Sequence, residues 1–233
     1  MLHGIGASSA IWQDVIDQTE DAHVIAVDLL GFGLSPKPKL IDYTIDDHVM
    51  AVRRTLRRRF WRRPIILVGH SLGCLIAVEY ARRWPKDVDR LILCSPPLYS
   101  TAQKKARRLP KLDDLYMQAY AAARTLSIGE KAIELLSKEP KITGLLVDDA
   151  TWPSFAKTLQ ATIEEQESML HIVELRQPID VIYGRFDSFL IEKNIKSVAK
   201  KNPRIKLHKI LAPHSITKSY ARRIVGIIST ENR

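Results

Sequence analysis

Residues 64–84 read PIILVGHSLGCLIAVEYARRW. The aliphatic run Ile65–Val68 leads directly into Gly69-His70-Ser71-Leu72-Gly73, a G-x-S-x-G pentapeptide, and a helix-forming stretch follows at once. A nucleophile elbow needs this context: a strained strand-to-helix turn that lifts a serine above the end of a sheet. Glycines on both sides of the serine let the strand and helix backbones approach with no Cβ between them. The helix that follows aims its N-terminal dipole at Ser71 and favours negative charge developing there. Five residues alone carry little; a strand before and a helix after give them meaning.

Outward from the elbow, short aliphatic runs alternate with helical stretches, the pattern of a parallel sheet with crossover helices. Strands are expected at 23–29, 64–70, 90–95, 178–184 and 204–211, each nearly continuously apolar, as strands covered on both faces are. Helices are expected near 44–62, 72–84, 189–202 and 216–228. Thr44 with Asp47 three residues on makes a capping-box start for the first of these. Between Leu98 and Gln177 the rhythm breaks: no convincing strand occurs, and helix-like segments fall at 112–126, 129–138 and 152–172. An excursion of that length between neighbouring strands is a helical insertion. The organisation expected is therefore a core of 1–97 and 178–233 carrying a helical cap at 98–177.

Composition narrows the class. Of 233 residues 45% are hydrophobic and 27% charged, which excludes intrinsic disorder, and two cysteines and ten glycines exclude a disulfide scaffold or a collagen. No apolar run reaches the ~18–20 residues of a membrane span, and the opening MLHGIGASSA lacks the form of a signal peptide. Cys74 and Cys94 lie in apolar surroundings and read as buried reduced thiols, so a cytoplasmic location is expected. The 36 basic residues outnumber 26 acidic ones by +10. Arg53, Arg54, Arg57, Arg58, Arg59, Arg62 and Arg63 cluster, with Lys104, Lys105, Arg107 and Arg108 further on. The opposite face of the first cluster's helix carries Ile45, Val49, Val52, Leu56 and Phe60, so these arginines read as a solvated helix face. Apart from Phe60 and Trp61 no stacking aromatics interleave them, and no nucleic-acid partner is expected.

A serine hydroxyl is a poor nucleophile until a base removes its proton, and the base needs an acid to orient it. On this topology the order is Ser, then Asp or Glu, then His, at the C-terminal ends of later strands. Asp187, in the turn just past 178–184, meets the second requirement; Asp180 lies at the wrong end of that strand. Strand 90–95 ends in Ser-Pro-Pro and offers no carboxylate. His214 follows the last strand and is the candidate base, whereas His208, inside that strand beside Lys206, reads as a surface histidine. Leu2-His3-Gly4-Ile5-Gly6 supplies an H-G-x-G turn. The backbone N–H groups of Ile5 and of Leu72, the residue after the serine, are the candidate oxyanion hole.

Together LHGIGASSAIWQ, DLLGFGLSPKP, ILVGHSLGC, DRLILCSPP, VIYGRFDSF and APHS, in that order along nearly the whole chain, resemble the cap-domain members of the α/β-hydrolase superfamily. The resemblance implies an α/β fold with a mostly parallel, doubly wound sheet and a helical cap. It also implies a serine hydrolase acting on an ester-like or related acyl bond of a small substrate, with no metal and no organic cofactor. Serine at the elbow sets the chain apart from the family's haloalkane dehalogenases and epoxide hydrolases, which need aspartate there. Carboxylesterase, thioesterase, carbon–carbon hydrolase, lactonase and aminopeptidase activities remain, the first being the expectation. Asp28 and the Gly31-Phe32-Gly33 turn are implied to be a structural loop beside the site; Pro36 in place of a third glycine excludes a dinucleotide loop. Trp152, Phe155, Leu159 and Met169 are candidates to line the acyl pocket, although residues at this helical spacing more often form cap core than substrate contacts. The chain departs from the family at Pro213, where glycine usually precedes the histidine, and at Cys74, where a second glycine is common. In the family H-G-x-G also follows a central strand with two more before it. Three strands and their turns amount to about 25 residues, and the N-terminal strands are therefore expected to be missing from the sheet.

Overall fold

The computed structural model describes residues 1–20, 22–59, 64–100, 103, 150–164 and 167–231. Four parallel strands form one sheet in the order β1 (Ile65–His70), β2 (Val88–Cys94), β3 (Ile179–Gly184), β4 (Ile205–Ile210). β1, β3 and β4 fall inside stretches expected to be strands, while β2 begins two residues before the expected 90–95 and ends one residue short of it. Side chains alternate across the sheet. Leu67, Leu91 and Val181 enter one apolar cluster, and Val68, Ile92 and Ile182 enter the other.

Helices cover both faces. On the first lie α2 (Ile45–Arg59), α3 (Leu72–Arg83) and α6 (Glu192–Lys201); on the second lie α1 (Gln13–Asp17) and α7 (Lys218–Glu231). The capping box of α2 forms as expected, with the Asp47 N–H donating to Thr44 Oγ1 at 3.2 Å and the Thr44 N–H donating to Asp47 Oδ2 at 2.9 Å. Val49, Val52 and Leu56 turn the apolar face of α2 into the core, while Arg54 and Arg57 stay exposed. Arg53 departs from that solvated face: its guanidinium lies 4.3 Å from the Trp84 ring centroid and pairs with Asp87. Burying a Leu or Ile side chain contributes roughly 1.5–3 kcal/mol, so these two clusters hold the layers together.

Residues 23–29 form no strand, contrary to the sequence pattern. Val27 and β1 both face the segment Met1–His3, which pairs through isolated bridges of Leu2 to Val27 and to Gly69. One residue of pairing on each side closes no ladder. From the insertion, α4 (Trp152–Thr158), a π-helical turn at Leu159–Glu164 and α5 (Ser168–His171) are described. Phe155, Leu159, Ile163 and Ile172 join the first cluster, so these segments pack directly on the core. The segments expected at 112–126 and 129–138, Phe60 and the basic residues at 104–108 lie outside the described residues. Both cysteines are free and buried. No described helix is long and apolar enough to cross a membrane.

Candidate active site

Ser71 stands between β1 and α3 with φ 50° and ψ −116°, a left-handed conformation that a non-glycine residue holds only when its surroundings impose it. Its N–H is tied to Cys94 O at 3.0 Å, and its carbonyl accepts from Cys74 N at 2.9 Å. The flanking glycines are required by contact. A Cβ on Gly69 would stand 2.5 Å from Gly73 O, and one on Gly73 would collide with the carbonyls of Leu2 and His3. The strand-to-helix turn read from the sequence is therefore present, and Cys74 is buried behind it.

The H-G-x-G turn lies directly over the serine, since a Cβ on Gly4 would be 3.2 Å from Ser71 Cβ. His3 is fully buried and fixes this turn from behind. Its Nδ1–H donates to Gly4 O at 2.7 Å, and its Nε2 accepts from Leu29 N at 2.9 Å. Burial pushes its pKa down to about 4, which keeps both roles available at neutral pH. Gly4 O also accepts from Ala7 N at 3.2 Å. A trans peptide directs the next N–H opposite to the carbonyl, so Ile5 N–H points away from those partners. Leu72 opens α3, and its N–H has no partner within the helix.

Asp187 and His214 meet across the ends of β3 and β4. His214 Nδ1 donates to Asp187 Oδ2 at 2.8 Å, and Asp187 Oδ1 accepts from Phe189 N at 2.9 Å. Burial acts to raise the Asp187 carboxyl, yet the hydrogen bond and charge of His214, with help from Ser95, outweigh it and hold the group below the usual carboxylate range. The Phe189 ring stands edge-on to His214, with centroids 4.8 Å apart. His70, next to Ser71, lies 5.0 Å from the His214 ring and contacts its backbone carbonyl at 2.9 Å, so the histidine loop is held beside the elbow.

Asp28 sits as expected of a structural loop, with Oδ1 accepting from Ser9 N at 2.6 Å and Oδ2 from Leu34 N at 2.8 Å. Phe155 is 1% exposed within the core cluster; half-buried Trp152 stacks on it with ring centroids 5.7 Å apart. Asp180 lies at the start of β3, away from Asp187. His208 is not a plain surface histidine, because its Nε2 meets Asp180 Oδ1 at 2.6 Å. Two neighbours of the site escaped the sequence reading. Ser95, at φ 53° just past β2, is fully buried, and its Oγ lies 2.6 Å from Tyr220 Oη. The Ser-Pro-Pro end of that strand was the available signal, but a hydroxyl there announces no partner.

The family model for the alpha/beta hydrolase fold matches residues 1–141. The chain belongs to that family. Among relatives of this alpha/beta hydrolase is the probable lysophospholipase BODYGUARD 1 of Arabidopsis thaliana, 26% identical over 268 residues that cover 96% of this chain and 57% of the relative. The probable lysophospholipase BODYGUARD 4 of the same plant is 36% identical over 104 residues, 43% of this chain and 25% of its own length. The chain thus spans 57% and 25% of the length of these two curated relatives. Among solved structures, a thermophilic esterase from Thermogutta terrifontis superposes with a TM-score of 0.73 at 22% identity, covering 100% of this chain and 88% of the other. At that identity the likeness speaks for the fold.

Proposed function

We propose that this alpha/beta hydrolase is a serine hydrolase of the carboxylesterase type, cleaving the acyl bond of a small ester through an acyl-serine intermediate. The observation that carries the reading is the 2.8 Å contact of His214 Nδ1 with Asp187 Oδ2, at the same sheet edge as a serine held at φ 50°. A carboxylate only accepts hydrogen bonds, so Nδ1 carries the proton and Nε2 is free to act as base. In the proposed mechanism His214 takes the Ser71 proton as the hydroxyl attacks the carbonyl, and the N–H groups of Ile5 and Leu72 receive the oxyanion. The imidazolium then protonates the leaving alcohol, and water repeats the cycle to release the acid. Asp187 orients the imidazole throughout. Residues 98–177 act as the cap, with Trp152 facing substrate and Phe155 supporting it from the core.

The names of the curated relatives support an ester of a lipid-like acyl group within this class. A fluorophosphonate probe tests the chemistry: labelling is expected in the wild-type protein and absent in Ser71→Ala. A folded wild-type protein that takes no label refutes the serine mechanism. p-Nitrophenyl esters of increasing chain length, run beside acyl thioesters, then define the acyl group; faster thioester turnover would move the reading to a thioesterase.

A further inference from the structure

On the face of the sheet opposite α3, strand β4 is only partly covered by α7, and a groove of about 870 Å³ opens between them. That volume suits a small molecule. Its floor holds Asp180, which is 2% exposed and engaged by both Arg90 Nη1 and His208 Nε2. No other acidic side chain of the described residues lines the groove. Lys206 on the strand and Arg222 and Arg223 on the helix face it from its two walls. With Arg90 paired to that carboxylate, three further permanent cations, Lys206, Arg222 and Arg223, line the groove.

Gly226 is the second, independent observation. It lies inside α7, on the groove wall, at a position where an added Cβ would meet nothing within 4 Å. Neither close packing nor an unusual φ calls for glycine there, and glycine in a helix interior costs about 1 kcal/mol relative to alanine. Its effect on shape is to widen the groove beside the arginines. Next to the cations, Ile210, Ile227 and the 70% exposed Leu211 form an apolar ledge.

We infer that the groove between β4 and α7 is a binding site for a phosphate-bearing amphiphile, separate from the catalytic serine. Planar guanidinium forks match phosphate oxygens in a bidentate way, and a dianionic head is what several cations lining one groove favour. The ledge takes the apolar body. Asp180 opens β3 whereas Asp187 follows its end, so the floor of the groove at Asp180 lies at the other end of that strand from the proposed triad.

Calorimetric titration of the intact protein with hexyl phosphate, inorganic phosphate and hexanol tests the site. Hexyl phosphate is expected to bind saturably, more weakly as salt is raised, and at least ten times more tightly than hexanol. Gly226→Leu keeps every charge and fills the groove, and Arg222→Ala with Arg223→Ala empties it of charge; each should weaken binding tenfold or more. Inorganic phosphate binding as tightly as hexyl phosphate removes the ledge from the proposal and so overturns the amphiphile. Binding unchanged in Ser71→Ala, with ester turnover unchanged in Gly226→Leu, separates this site from the esterase reading. No saturable binding, binding that survives Gly226→Leu, or binding lost in Ser71→Ala overturns the inference, whether or not the protein proves to be an esterase.

Discussion

His70 holds the backbone of His214: the His70 Nε2–H donates to the His214 carbonyl oxygen at 2.9 Å. A carbonyl only accepts, so Nε2 carries a proton, and burial pushes the ring's pKa down to about 3, which keeps it neutral. His70→Phe preserves ring volume and removes the donor. On the proposed mechanism the freed His214 loop misplaces the base, and kcat toward p-nitrophenyl esters is expected to fall roughly ten- to hundredfold while KM changes little. Unchanged kcat in a folded variant would show that the loop is held by other contacts.

Asp187→Asn leaves the shape of the acid loop intact but offers Nδ1 a partner able to donate, which favours the wrong imidazole tautomer. Turnover is expected to drop by roughly 10³–10⁴, with the urea midpoint shifting little. Asp180→Asn provides the contrast. It disturbs Arg90 and His208, so it should lower the urea midpoint and leave turnover per folded molecule nearly unchanged. The reverse pattern would make Asp180 the functional acid.

The elbow was legible because it is local: an apolar run, two glycines and a serine lie within ten residues, and the strain at Ser71 follows from their order. Asp187 and His214 were legible because each follows a recognisable strand. Pairing across the sheet was not. Residues 23–29 have the composition of a strand but meet one pairing residue, Leu2, and a ladder belongs to two partners. His208 looked solvated because its neighbour Lys206 is; only the β3–β4 register brings it to Asp180. The part taken by Ser95 rests on Tyr220, 125 residues away.

Histidine burial makes stability depend on pH. His48 is fully buried between α2 and α4, with Nε2 at 3.2 Å from Thr158 Oγ1, and burial pushes its pKa down to about 4. Unfolded, the same ring titrates near 6.5. Between those values the unfolded chain binds a proton that the folded chain refuses, so stability is full above pH 6.5 and is lost as pH falls toward 4. At pH 5 the loss from this residue alone is about 2 kcal/mol. His3 and His70 act in the same direction. Urea midpoints at pH 7 and pH 5 should therefore diverge in the wild-type protein and diverge less in His48→Gln. An equal divergence in both would place the pH sensitivity elsewhere.

Gly73 separates close packing from mere backbone freedom. A methyl group there would press on Leu2 O and stand 2.8 Å from His3 O. Leu2 is pinned through its N–H to Val68 O at 2.8 Å and through its carbonyl to His70 N at 2.9 Å. The segment can yield only by breaking those bonds and carrying His3, Gly4 and Ile5 away from Ser71. Gly73→Ala should cost about 1–3 kcal/mol of stability through overpacking. It should also lower kcat by roughly the 10²-fold that a lost oxyanion donor brings. Gly226→Ala, made where nothing lies within 4 Å, should instead gain about 0.5–1 kcal/mol from helix propensity. Urea denaturation and ester turnover on both variants decide the matter. A Gly73→Ala protein as stable and active as wild type would mean that the approach of α3 to the Met1–His3 segment does not shape the site.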